Sequence, residues 1–248
     1  MRGSLRRVWF LLALVAAWAA ASRLTHSWLL PSPADVARSL GAGMVSGAIP
    51  RAILTSLVRL IAGYAISLAG GVALGLGLAR SQLLRDSLGM LATGLQSLPS
   101  ICWLPLALIW FGLSEGAILF VVVMGSLFAI ASATETGVRN VPPLYLRAAR
   151  TMGARGPTLY LRVILPAALP GIIAGMRLGW TFAWRSLMAA ELLYVSGGLG
   201  QLLAIGRELN DLSRVMAVMA AIVAIGLGTE VLFFQRLEAR VRERWGTE

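Results

Sequence analysis

No lysine occurs in this chain of 248 residues; all 22 basic side chains are arginines. A phosphate-binding loop requires Gly-Lys-Ser/Thr, so the chain carries no standard site of that kind. Cysteine is equally scarce. The single Cys102 excludes a disulfide framework, and with the lone His26 it cannot make a metal site. Charged residues are only 13% of the chain against 58% hydrophobic, and mean hydropathy is +0.78, which excludes an ordinary soluble domain. The net charge of +11 raises nucleic acid as a partner, but no soluble basic face accompanies it. The arginines fall between long apolar runs, which is the pattern of membrane topology.

Those runs predict an all-α polytopic membrane protein, one domain over 1–248, with spans at 8–22, 52–79, 88–112, 117–138, 171–195 and 215–235. The first follows Arg2, Arg6 and Arg7. It reads either as a signal peptide cleaved near Ala19-Ala20-Ala21 or as a retained helix with Arg7 and Arg23 snorkelling, and the retained helix is expected. Pro31-Ser32-Pro33 then starts a surface amphipathic helix, Ala34 to Met44. In the second span Gly71 and Gly75 make a small-xxx-small step for close helix packing. Pro99 and Pro105 interrupt the third. Broken helices survive at membrane depth only where protein or a watery cavity satisfies the freed backbone groups. Gln96, Ser97 and Ser100 beside the break are therefore candidate pathway residues, unless the kink serves packing alone.

The fifth span carries a glycine ladder, Gly171, Gly175 and Gly179, and two ionisable residues, Arg185 and Glu191. Charges in a membrane span are costly, so each needs a function or an internal partner. Six residues apart, they point about 240° away from each other and cannot pair directly. Both are candidate pathway residues; Arg59 is a possible partner for Glu191, and a structural tie is the alternative for Arg185. The N-terminus holds three arginines, the 80–86 loop two, the 139–162 loop five and the tail four. The opposite face holds Arg23, Arg38, Arg51, Arg207 and Arg214. The positive-inside rule puts both termini and the 139–162 loop in the cytoplasm.

That loop contains the most specific stretch. Pro142-Pro143 suits a first helical turn, Gly153 suits a left-handed C-cap, and Pro157 bars continuation. The spacing predicts a helix of about ten residues, roughly 15 Å long, with a small flat centre at Ala148-Ala149. The bland alternative is a basic loop that only obeys topology.

Arg147-Ala148-Ala149, Gly153 and Val163-Ile164-Leu165-Pro166 resemble the cytoplasmic loop of ATP-binding-cassette importer permeases, the EAA motif. Its signature is Glu-Ala-Ala, three residues, Gly, nine residues, Ile-x-Leu-Pro. Val163 replaces Ile, and Arg147 replaces Glu with reversed charge. Pro31-Ser32-Pro33-Ala34-Asp35-Val36, Trp110-Phe111-Gly112, Leu165 to Gly171, and Trp184 to Leu187 with Ala189-Ala190-Glu191 are similar to the nitrate, sulfonate and taurine branch.

The resemblance implies the type I importer permease fold with six transmembrane helices and a short cytoplasmic coupling helix. It also implies a homodimeric pore in the bacterial inner membrane, two cytoplasmic ATPase subunits, and an extracytoplasmic solute-binding protein. Arg147, Ala148, Ala149, Gly153, Leu165 and Pro166 would form the ATPase-coupling site. The chain is then no enzyme and binds no cofactor; ATP and Mg sit on the ATPase. Lipid surrounds it, and nucleic acid has no part. A small anion is the expected solute, aliphatic sulfonate first, then taurine, nitrate, bicarbonate or a thiamine-precursor pyrimidine. A secondary transporter would need coupling-ion sites at midplane, and neither an acidic pair nor a repeat is present. A non-transporting membrane scaffold is the third reading.

Overall fold

The computed structural model describes residues 2–25, 29–193 and 197–245, and all regular structure among them is helical. In lipid a helix satisfies its own backbone polar groups, which makes it the economical solution for so apolar a chain. The order is α1 (Arg2–Thr25), α2 (Pro33–Val45), α3 (Ala48–Arg80), α4 (Gln82–Gln96), α5 (Ser100–Phe111), α6 (Glu115–Arg139), α7 (Pro143–Thr151), α8 (Gly156–Leu192), α9 (Leu199–Glu208) and α10 (Leu212–Val241).

Among the described residues α3, α6, α8 and α10 are long and apolar enough to cross a membrane. The bent pair α4–α5 makes a fifth if it counts as one span, against the six read from the sequence. The apolar part of α1, Leu12–Leu24, falls short of the ~20 residues a crossing requires. The third expected span is not one rod: α4 and α5 meet at 103°, with Pro99 in the break. Pro105 lies in the first α-helical turn of α5, which follows a 3-10 turn at Ser100–Trp103, and breaks nothing. The fifth expected span begins 15 residues early, at Gly156 rather than Gly171. A widened turn at Tyr160–Ile164, closed by Leu165 N–H on Tyr160 O, lets α8 run on through Pro166 and Pro170.

The chain groups into two compact units, Met1–Ser56 with Val195–Ile225, and Leu57–Tyr194 with Gly226–Glu248. In the first, Ser32 and Asp35 close a reciprocal capping box that starts α2, and Arg38 pairs with Asp35. The Trp18 indole donates to Pro31 O (3.1 Å), and Leu199 N–H donates to the buried Ser56 Oγ (2.9 Å), fixing the start of α9.

The second unit is built around α6. On one side an added Cβ at Gly71 of α3 would lie 2.7 Å from Leu127 O and 2.8 Å from Ile130 Cβ. On the other, a Cβ at Gly171 of α8 would lie 2.7 Å from Gly137 Cα, and one at Gly175 2.6 Å from Ala133 Cβ. Backbones this close leave no room for side chains, so dispersion contacts between helices hold the unit where lipid removes the usual hydrophobic drive. Leu60, Ile118, Val121, Val122, Ile130 and Leu187 fill the remaining core. Polar ties cross the same seams: Ser126 Oγ is 2.8 Å from Ser67 Oγ, and Tyr64 OH donates to Met176 O (2.8 Å).

Candidate functional site

Helix α7 forms where the proline pair and Gly153 place it. Pro143 occupies the first turn, and the helix ends at Thr151 in a two-bond C-terminal cap. Gly153 N–H donates to Arg150 O (3.0 Å) and Ala154 N–H to Ala149 O (2.9 Å), with Gly153 at φ +84°. A β-carbon is disfavoured in that conformation. The two central alanines divide. Ala149 is buried, on the inner side of the helix, whereas Ala148 is exposed. The flat patch expected from both is therefore carried outward by Ala148 alone. It sits in an exposed apolar stripe with Leu144, Tyr145 and Met152, flanked by the exposed Arg147, Arg150 and Arg155. Leu165 and Pro166 are half-buried within α8; Leu165 packs with Val141, Ala168 and Ile172, the cluster that underlies α7.

The expected pathway residues separate as well. Gln96 lines a cavity of 460 Å³ between α4, α6 and α8, together with Ser132, Thr136 and Asn140. Ser97 is exposed and closes the end of α4 by donating to Gly94 O (2.7 Å). Ser100 is half-buried beside Gly125, opposite Ser186. Arg185 is exposed on α8 and makes no ion pair or side-chain hydrogen bond with another described residue. Glu191 does not face a cavity. It is fully buried, with its carboxylate 3.0 Å from Arg59 Nη1, so it ties α8 to α3. A carboxylate removed from water needs a cation, and α3 supplies one.

Sequence reasoning missed the other half of that tie. Arg59 also grips Glu115, Nε at 2.6 Å and Nη2 closer, so one guanidinium joins α3, the first turn of α6 and the end of α8. Glu115 carried no signal in the sequence because its role depends on a partner 56 positions away. At the other end of α6, Glu135 receives Arg85 (3.1 Å) and Arg139 (3.3 Å). Arg85 also donates to Leu78 O and Ala79 O at the end of α3. A third cluster, Arg177 with Glu230 and Glu238, links α8 to the end of α10. The stripe Ser132, Thr136 and Asn140 was also missed. Its four-residue spacing was the available signal.

The sequence profile described as "Binding-protein-dependent transport system inner membrane component" matches residues 71–243. An Escherichia coli K12 protein named as an aliphatic sulfonates transport permease, SsuC, is 35% identical over 245 residues, covering 96% of this chain and 90% of that protein. The nitrate import permease protein NrtB of Leptolyngbya laminosa is 33% identical over 175 residues, 71% of this chain and 62% of its own length. Among solved structures, a chain of the inward-facing MetNI methionine ABC transporter superimposes with TM-score 0.66 at 20% identity. It covers 79% of this chain and 97% of that one, a likeness of fold.

Proposed function

Since this chain belongs to the family of binding-protein-dependent transport system inner membrane components, we propose that it is the permease subunit of an ATP-driven importer of a small oxyanion, aliphatic sulfonate first. Taurine, nitrate and bicarbonate remain within the same solute class. The observation that carries the reading is α7. An apolar stripe of Leu144, Tyr145, Ala148 and Met152, ringed by three arginines, stands exposed on a loop between two membrane helices. Such a ridge fits the groove of a cytoplasmic ATPase, with acidic residues on the groove's rim matching Arg147, Arg150 and Arg155.

Two copies of the chain would form the pore, each with one ATPase, and an extracytoplasmic binding protein would deliver the solute. ATP and Mg belong to the ATPase. ATPase closure moves α7, and the cluster of Val141, Leu146, Ala168 and Ile172 under α7 passes that displacement to α6 and α8. The transport cycle requires that α7 meet the ATPase differently in the two states, since equal contact shifts nothing. Arg185 supports an anionic solute: a cation on a membrane helix with no ion pair among the described residues draws an anion poorly shielded by water.

The reading is tested in proteoliposomes holding the permease, its ATPase and its binding protein. ATP-dependent accumulation of radiolabelled ethanesulfonate is expected, with Arg185→Gln lowering uptake while the complex still assembles. Loss of expression and of assembly in Arg185→Gln would assign that residue a structural tie instead. A permease that recruits no ATPase refutes the importer reading as a whole.

A further inference from the structure

The cavity between α4, α6 and α8 has properties that packing does not explain. Ser132, Thr136 and Asn140 follow each other at four-residue spacing, so they drift only about 40° per step and form one stripe over about 12 Å of α6. Opposite them α8 presents Ala167, Gly171 and Ala174, too small to fill the space, and Gln96 closes the end from α4. The hydroxyls behave unlike most others in this chain. Ser67, Thr93, Thr181 and Ser186 each donate to the carbonyl four residues back in their own helix. Ser132 and Thr136 do not, and none of the four polar side chains in the cavity bonds to another described residue. Unsatisfied polar groups facing hydrocarbon cost several kcal/mol each, so this surface faces water or a polar ligand.

Among the described residues no carboxylate lines the cavity, and no full charge of either sign stands in its wall. The nearest cation along the same face of α8 is Arg185, seven residues beyond the lining residue Leu178 and rotated from it by about 20°, about 10 Å further along the helix. A volume of 460 Å³ lies within the range of small-ligand sites. We infer that this cavity is a transient resting site for the oxyanion head of the solute, which Arg185 draws in and which Gln96, Ser132, Thr136 and Asn140 then hold by neutral O–H and N–H donors. Neutral donors suit a site the anion must leave as well as enter; a buried arginine would trap it. This site rests on the anion-import reading above.

Two measurements on the reconstituted complex test it. With Cys102→Ser removing the native thiol, Thr136→Cys is expected to react with an anionic sulfonatoethyl methanethiosulfonate faster than with its trimethylammonium analogue. Excess ethanesulfonate should slow that reaction. The pair Ser132→Ala with Thr136→Val should cut ethanesulfonate uptake about tenfold or more, since hydrogen bonds to a charged group are each worth about that factor. ATPase co-purification should be unchanged, and Thr136→Ser should restore uptake. Three outcomes overturn the site: Thr136→Cys inert to both reagents, Thr136→Cys cross-linking to a second copy regardless of solute, or full uptake by the paired variant. Uptake by the unsubstituted complex separates the causes. If it imports ethanesulfonate and the site variants behave normally, only the site fails; if it imports no oxyanion, the anion reading fails and the site with it.

Discussion

Arg59 holds two carboxylates whose surroundings are opposite, and that contrast sets the sharpest test of the fold. Glu191 has no exposed side-chain surface, while the Glu115 side chain is 61% exposed; Arg59 itself is 8% exposed. Truncating one partner of a buried ion pair costs about 3–5 kcal/mol, because the remaining charge keeps its desolvation without its compensation. Glu115 still grips Arg59 when Glu191 is removed, so Glu191→Ala belongs at the lower end, about 3 kcal/mol. An exposed pair contributes about 1 kcal/mol or less, so Glu115→Ala should cost no more than that. For a chain of this length a change of 1 kcal/mol moves Tm by about 2–4 °C. Glu191→Ala is therefore expected to lower Tm by roughly 6–12 °C, and Glu115→Ala by no more than about 4 °C. The assay is thermal unfolding of the purified chain in detergent, followed by tryptophan fluorescence. Arg59→Met combined with Glu191→Leu should recover most of the loss, since apolar residues of similar volume replace buried pairs at little cost. A larger loss in Glu115→Ala than in Glu191→Ala, or no recovery in the double variant, would refute the argument from burial.

Ala148→Trp should leave Tm unchanged and abolish ATPase co-purification, whereas Ala149→Trp should cost about 1–3 kcal/mol of stability, because only Ala149 is buried. Equal behaviour of the two in both measurements would refute the assigned face of α7. Gly171→Val must push apart backbones that meet at Gly137, and the chain should fail to give a cooperative melt; Gly94→Ala, with nothing near its added Cβ, should melt at or slightly above the parent temperature. At α2, the Ser32 hydroxyl first, and then its backbone N–H, hold the Asp35 carboxyl below the usual carboxylate range. A lowered folded-state value stabilises above the ordinary carboxylate range and is lost as pH falls through that range towards the lowered one. Removing the cap with Ser32→Ala should therefore destabilise the chain at neutral pH and flatten its loss of stability in acid, read from Tm against pH.

Much of α7 was legible because its determinants are local. A proline pair, a glycine that accepts φ +84° and nine residues between them suffice to start and stop a helix in any context. The glycine steps of α3 and α8 were legible for the same reason: a missing side chain at helical spacing permits close approach whichever helix approaches. The division between Ala148 and Ala149 was not legible. Adjacent residues differ by about 100° around a helix, and which of them turns inward depends on where Val141, Ala168 and Ile172 lie. The bend at Pro99 was legible as a break, but its angle of 103° was not, since a missing N–H permits many directions.

The sequence by itself determined that the chain is helical and membrane-embedded, which loops carry its positive charge, and where α7 begins and ends, because these follow from composition and from interactions within a few residues. Only the tertiary structure decided which charges neutralise each other and which polar groups share a cavity. Arg59 meets Glu191 across 132 positions, and Gln96 reaches the stripe of Ser132, Thr136 and Asn140 through the packing of α4 on α6. The cost of a buried charge or an unsatisfied hydroxyl demands some partner, but the choice of partner belongs to the packing of helices remote in sequence.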